Sequence, residues 1–180
     1  MPIIILDRDG VINQDSDEYI KSPREWQAIP GSLEAIKKLN DAGYDVCVAT
    51  NQSGLGRGLF SIQTLDQIHQ KMINELEAMG GVIRMIVYCP HHPDAKCTCR
   101  KPSTGLLTTI NEEFRLDSDT SWMVGDTAKD VECAHRMGIR GALVRTGKGE
   151  RELRKGVVSR ETTPIFDDLA EFVAWLLSRV

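Results

Sequence analysis

The stretch Ile3-Ile4-Ile5-Leu6-Asp7-Arg8-Asp9-Gly10 decides how the chain is read: an apolar run passes directly into two carboxylates at i and i+2. Such a run suits a buried strand, and extended backbone turns side chains at that spacing to one side. Two acids at the end of a buried strand are costly unless a cation, hydrogen bonds or chemistry compensates them. Asp7 and Asp9 therefore mark a site, and phosphoryl transfer through a carboxylate nucleophile is the chemistry they suggest. Asp-x-Asp pairs also occur in ordinary turns, so the surrounding pattern has to discriminate.

Outward from this run, strands alternate with helices. Pro30-Gly31-Ser32 breaks the chain and offers Ser32 as the N-cap of a helix with Leu33, Ile36 and Leu39 on one face, ended by Gly43. Val46-Cys47-Val48-Ala49 reads as a second parallel strand that empties into Thr50-Asn51-Gln52-Ser53. Thr64 with Gln67 forms a capping-box pattern before a helix carrying Leu65, Ile68, Met72, Ile73 and Leu76, stopped by Gly80-Gly81. A third strand is expected over 83–88, a helix over 106–114, and a short strand over 122–124 that delivers Gly125-Asp126. A helix over 128–137 closed by Gly138, a strand over 142–144 and a C-terminal helix striped by Leu169, Phe172, Val173, Leu176 and Leu177 complete the series. Residues 148–163 are polar and charged and read as a surface excursion. The pattern predicts an α/β fold, a Rossmann-like parallel sheet flanked by helices. Right-handed crossovers then place ligands at the carboxyl ends of the strands, where Asp7, Thr50 and Asp126 fall.

With 180 residues, 41% hydrophobic and 27% charged, the chain suits one domain over 1–180 with a real core. A formal charge of −4 argues against broad attraction to nucleic acid or an anionic membrane, so an anionic small molecule would need a local basic pocket. No signal-like leader is legible and no apolar run approaches the roughly 20 residues of a membrane span, so a cytoplasmic protein with no membrane contact is expected. A monomer is the default for one small domain.

Cys89-Pro90-His91-His92-Pro93 followed by Cys97-Thr98-Cys99 packs three thiols and two imidazoles into one loop. That density of soft ligands suits tetrahedral Zn²⁺; a disulfide, disfavoured in a cytoplasmic setting, or reduced cysteines are the alternatives. Cys47 and Cys133 sit in apolar surroundings and read as small core residues.

Taken together, Asp7-Arg8-Asp9-Gly10, Ala49-Thr50-Asn51-Gln52-Ser53, Arg100-Lys101-Pro102 and Gly125-Asp126 with Asp130 resemble the four ordered motifs of the haloacid dehalogenase-like phosphohydrolases. Each motif is weak alone, but order, spacing and placement after strands agree over most of the chain. The resemblance implies a minimal cap and an aspartyl-phosphate mechanism with Asp7 as nucleophile. Asp9 would be the general acid/base, with a raised pKa, and Thr50 and Lys101 would hold the phosphoryl oxygens. Asn51, Gln52, Ser53 and Arg100 would contact substrate, Arg100 reaching a second phosphate or sugar oxygens. Mg²⁺ would be held by the Asp7 carboxylate, the Asp9 backbone carbonyl and Asp126.

The family's Cys-x-His and Cys-x-Cys pattern assigns structural Zn²⁺ to Cys89, His91, Cys97 and Cys99 in a loop at 89–99, leaving His92 a bystander. Blander readings stand beside these. Arg100-Lys101 could be an exposed basic pair, Asp126 and Asp130 acids at a helix N-terminus, and Thr50 a strand-end cap.

Within the family the resemblance is nearest to phosphatases of heptose bisphosphates, which implies a phosphorylated sugar substrate losing its 7-phosphate to feed lipopolysaccharide or other glycan synthesis. Histidinol-phosphate phosphatase is the enzymatic alternative, and a zinc-loop binding module without activity is the alternative from another class. Residues 13–19 would form a flap over the substrate; they lack the His-Gly of some relatives, and the loop from His91 to Cys97 is short.

Overall fold

The computed structural model describes residues 1–179. In chain order the elements are β1 (Ile3–Leu6), α1 (Ser32–Asp41), β2 (Asp45–Asn51), α2 (Ser53–Gly56), α3 (Ile62–Ala78), β3 (Met85–Cys89) and α4 (Gly105–Phe114). They continue with β4 (Trp122–Gly125), α5 (Ala128–Arg136), β5 (Arg140–Val144), α6 (Gly149–Arg154), β6 (Ile165–Phe166) and α7 (Leu169–Leu177). The strands form one parallel sheet in the order β3-β2-β1-β4-β5-β6.

The alternation of β1 explains its sequence. Ile4 and Leu6 pack with α1, α3 and α7 on one face, and Ile3 and Ile5 pack with α4 and α5 on the other, so all four must be apolar. β2 and β4 repeat the arrangement: Val46, Val48, Trp122 and Val124 join the first layer, Cys47, Ala49 and Met123 the second. Full burial of each Ile or Leu contributes about 1.5–3 kcal/mol, which fixes β1 in the middle of the sheet. Leu6 pairs with Val48 on one side and Val124 on the other, and the Asp7 amide donates to the Val124 carbonyl at 2.9 Å. Strand order runs outward from β1 in both directions, so the end of β1 next to β4 is the switch point at which such sheets bind ligands.

Several local expectations need correction. Ser32 does not cap α1: Gly31, in the left-handed region at φ 87°, holds that position, and the buried Ser32 hydroxyl donates to the Val11 carbonyl at 2.8 Å. The α3 cap is Ser61, whose Oγ accepts from the Thr64 amide at 3.1 Å, so Thr64 lies inside the helix. Ile73 of α3 is only partly buried. The third strand starts and ends later than expected, and the polar excursion at 148–163 contains α6, with β6 just beyond it at the sheet edge. No helix among the described residues is long and apolar enough to cross a membrane.

Candidate active site

At the carboxyl ends of β1, β2 and β4 lies a cleft of about 290 Å³. Asp7, Asp9, Asn51, Gln52, Ser53, Arg100, Lys101, Asp126 and Asp130 all line it. At its centre the buried Lys101 ammonium lies 3.1 Å from Asp7 Oδ1 and 2.6 Å from Asp130 Oδ1, and donates to the Ala49 carbonyl at 2.7 Å. All three ammonium protons thus have acceptors. Asp130 belongs to α5, where its Oδ2 accepts from the Thr127 amide at 3.1 Å and hydroxyl at 2.9 Å as half of a capping box. One carboxylate oxygen of Asp130 thus caps α5 while the other meets the Lys101 ammonium in the cleft. Asn51 fixes Lys101 from the other side: its Nδ2 donates to the Lys101 carbonyl at 3.2 Å and its Oδ1 accepts the Lys101 amide at 3.0 Å.

Asp126 follows β4 and accepts the Lys148 amide at 2.8 Å. Gly10 and Gly147, both at positive φ, have to be glycine: a Cβ would come within 2.1 and 2.3 Å of Asp126 Oδ2. Asp7, Asp126 and Asp130 offer carboxylate oxygens that all lie within 4.8 Å of one another. Against these three acids stands one ammonium, so the cluster has a deficit of about two positive charges. Its consequence is visible in the pKa values. Burial pushes Asp7 up to about 7, with Lys101 pulling against Asp130 and Asp9. Asp126 is raised well above the carboxylate range, first by burial and then by Asp7 and Asp130. Burial disfavours the Lys101 ammonium, but Asp130 and Asp7 outweigh it and its pKa is raised. A hard divalent cation with oxygen preference fits this donor set and its missing charge.

Asp9 departs from expectation. Burial would raise its pKa, but the Arg8 charge and hydrogen bonds from Asn13, Arg8 and Gln52 prevail and hold it below the usual range. Oδ1 accepts from Arg8 Nη2 at 2.8 Å, Arg8 Nε at 3.2 Å and Asn13 Nδ2 at 2.9 Å, and Oδ2 accepts from Gln52 Nε2 at 3.0 Å. The donor set stabilises the anion, which the sequence alone concealed. Gln52 Nε2 also donates to Thr50 Oγ1 at 2.9 Å, so the buried Thr50 stands behind Gln52 and is not among the lining residues.

The rim holds residues that the sequence did not single out. Arg57, Lys129 and Lys148 line the cleft together with Arg100, whose buried Nη1 has no partner among the described residues. Asp15, Ser16, Asp17 and Tyr19 bring the 13–19 segment to the same wall. Lys148 Nζ reaches Asp15 Oδ2 at 3.4 Å, and the Arg57 guanidinium lies 6.0 Å from the Tyr19 ring centre. Arg57 and Lys148 stand in turns and Lys129 on the exposed side of α5, and single cations so scattered carry no motif, so only tertiary structure gathers them.

In the 89–99 loop, the Sγ atoms of Cys89, Cys97 and Cys99 and a ring nitrogen of His91 lie within 4.8 Å of one another. Cys89 Sγ is 3.7 Å from Cys97 Sγ, 3.1 Å from Cys99 Sγ and 3.5 Å from His91 Nδ1, and Cys99 Sγ is 3.2 Å from His91 Nδ1. Tetrahedral zinc, with bonds of about 2.3 Å to sulfur and 2.0 Å to nitrogen, sets roughly 3.8 Å between sulfurs and 3.5 Å between sulfur and nitrogen. The group fits zinc, and every cysteine is free. The Arg100 amide, with lesser contributions from neighbouring thiols, lowers the Cys97 thiol to about 6, while burial raises Cys89 to about 12. His92 stands outside the group, near Asp94. The loop seats on α2, since a Cβ on Gly56 would meet the His92 amide at 2.3 Å. Arg100 and Lys101 follow the last ligand directly. Cys47 and Cys133 are fully buried core residues.

Residues 98–172 match the family described as HAD-hydrolase-like. A D-glycero-beta-D-manno-heptose-1,7-bisphosphate 7-phosphatase of Pseudomonas putida is 50% identical over 98% of this chain and 100% of its own. The enzyme of the same name from Bordetella bronchiseptica is 48% identical over 98% of each chain. A crystal structure of D,D-heptose 1,7-bisphosphate phosphatase from B. bronchiseptica, complexed with magnesium and phosphate, superposes with a TM-score of 0.96 at 47% identity over 100% of both chains. Motif order, strand placement, the acid cluster and these full-length likenesses agree: the chain belongs to the haloacid dehalogenase-like hydrolases, in the family of heptose-1,7-bisphosphate 7-phosphatases.

Proposed function

We propose that the chain hydrolyses the 7-phosphate of D-glycero-β-D-manno-heptose 1,7-bisphosphate, as a cytoplasmic monomer of one domain, for the synthesis of nucleotide-activated heptose. The observation that carries this reading is the buried Lys101 ammonium between Asp7 and Asp130 at the switch point of the sheet, beside Asp126. A carboxylate beside a fixed cation and further acids able to hold a divalent ion is what phosphoryl transfer through a nucleophile requires, which supports the reading. The β anomer follows the names of the relatives from P. putida and B. bronchiseptica.

In this mechanism Asp7 attacks phosphorus and forms an aspartyl-phosphate, which divides one difficult displacement into two easier ones. Lys101 and the donors of Asn51, Gln52 and Ser53 hold the transferring oxygens, with Thr50 supporting Gln52 from behind. Asp7, the Asp9 carbonyl and Asp126 would hold Mg²⁺, which supplies the charge neutralisation that lets two anions approach. The Asp9 carboxylate takes its proton once a phosphate dianion sits beside it and raises its affinity, and gives that proton to the departing sugar oxygen. The ionised Asp9 then accepts a proton from the water that attacks the intermediate. Arg100, with its free buried donor, and the rim cations Arg57, Lys129 and Lys148 supply the positive field that the 1-phosphate needs. Zn²⁺ on Cys89, His91, Cys97 and Cys99 staples the loop that presents Arg100 and Lys101.

Phosphate release from a panel of both anomers of heptose 1,7-bisphosphate, the heptose monophosphates and histidinol phosphate tests the reading. The β bisphosphate should be turned over fastest. Faster hydrolysis of histidinol phosphate would reverse it.

A further inference from the structure

Strand parity sends Arg8 the opposite way from its acidic neighbours. Asp7 and Asp9 continue the Ile3/Ile5 side, whereas Arg8 continues the Ile4/Leu6 side, toward the layer that contains α3. Arg8 is completely buried, and its guanidinium forks. Nε and Nη2 grip Asp9 Oδ1, and Nη1 lies 3.1 Å from Nε2 of His69, which follows the core residue Ile68 and stands about one turn before the core residue Met72 on α3. An arginine only donates, so His69 Nε2 must be the acceptor and the ring proton must sit on Nδ1. Burial, and then the Arg8 charge, lower the His69 pKa to about 3 against a smaller opposing effect of Asp9, so the ring stays neutral and able to accept at any working pH.

From this chain of contacts we infer that His69 is a positioning residue for the general acid/base: as a neutral acceptor it fixes the Arg8 fork, and the fork aims the Asp9 carboxylate at the departing oxygen. The inference rests on the phosphatase reading above. His69 itself touches neither substrate nor reacting atoms and does not line the cleft. Losing the acceptor would leave one arm of a buried cation unpaired and free the fork to swing, and a small misplacement of a catalytic group costs far more rate than binding.

The test compares His69→Met, which fills the space without a comparable acceptor, with His69→Gln, whose amide oxygen can replace Nε2. Substrates are the heptose bisphosphate, with a poor alkoxide leaving group that needs a proton, and p-nitrophenyl phosphate, whose leaving group does not. His69→Met is expected to lower kcat for the sugar about 30-fold at a KM within about twofold, to lower turnover of the aryl ester no more than about threefold, and to be rescued by His69→Gln. Equal losses on both substrates, no loss on either, or a glutamine variant as impaired as the methionine one would overturn the inference. Should His69→Met not fold, nitrogen NMR of the wild-type ring decides: a neutral Nδ1–H tautomer from pH 5 to 8 is expected, and an Nε2–H tautomer or a titration in that range refutes the contact. Wild-type protein inactive on the sugar, or Asp9→Asn that spares it, would instead sink the phosphatase reading.

Discussion

At the residue scale the decisive feature is the unequal treatment of two carboxylates two residues apart. Asp7 shares a buried space with Asp126 and Asp130 and is pushed up to about 7, whereas Asp9 accepts four N–H groups and is held down. Their side-by-side placement was legible in the i, i+2 spacing, but the direction of the Asp9 shift was not. Its donors come from Arg8, Asn13 and Gln52, and no spacing rule shows that those side chains converge. Asp7, Lys101 and Asp126 could be singled out because each follows a recognisable strand or motif. Arg57 and Lys148 could not, because they sit in turns without a motif, and Lys129 could not, because an exposed lysine on a helix reads as ordinary solvated surface. Lys101 stands where one side chain compensates two acids, so Lys101→Met leaves buried Asp7 and Asp130 facing each other. We expect kcat to fall at least about 100-fold and the metal-free protein to lose about 3 kcal/mol in urea unfolding. A variant with near-normal turnover would remove Lys101 from the mechanism.

At the scale of elements, the strands that carry the site were the most readable, since burial on both faces demands continuous apolar runs and leaves little ambiguity. Caps were less so. Ser32 and Thr64 have the right chemistry for N-caps, but Gly31 and Ser61 take those positions because Ser32 is drawn inward to Val11 and the α3 helix begins a turn earlier. The six-residue α6 and two-residue β6 are too short for periodicity to reveal. The cysteine loop is the element with the clearest separate function. It has little apolar burial of its own, so zinc on its three thiols and one imidazole would hold it, and through it Arg100 and Lys101. One zinc per chain is expected by elemental analysis. Cys97→Ser should lose the metal, lower Tm by roughly 10 °C and reduce kcat/KM about tenfold or more. Wild-type protein without zinc, or a metal-free variant with unchanged activity, would contradict the staple.

For the whole molecule, the sheet order 3-2-1-4-5-6 is what converts scattered motifs into one site, because it brings the ends of β1, β2 and β4 side by side. The sequence implied a parallel sheet and ligands at its carboxyl edge; the 13–19 segment and the rim cations meet there only once the chain is closed. The charge deficit at that edge makes stability depend on both cation and pH. The Asp7 pKa is raised from 3.8 unfolded to about 7 folded, so its proton stabilises the metal-free fold fully below about pH 4, and that contribution is lost as pH rises to about 7. Mg²⁺ replaces the proton, so its binding should tighten as pH rises from 6 toward 7 and beyond, where Asp126 continues the trend. The increase in Tm on adding Mg²⁺ is therefore expected to be larger at pH 8 than at pH 6; saturation at about 100 times Kd corresponds to about 2.7 kcal/mol. An increment that shrinks with pH would exclude these acids as the cation site.

The most direct check is whether Asp7 becomes phosphorylated. Acid quench of the heptose bisphosphate reaction within its first turnovers, followed by borohydride reduction and peptide mass analysis, should find the reduced acyl phosphate at position 7 alone, and no signal from Asp7→Asn, which should also be inactive. A phosphoryl group on another carboxylate, or full turnover by Asp7→Asn, would contradict nucleophilic attack from the end of β1.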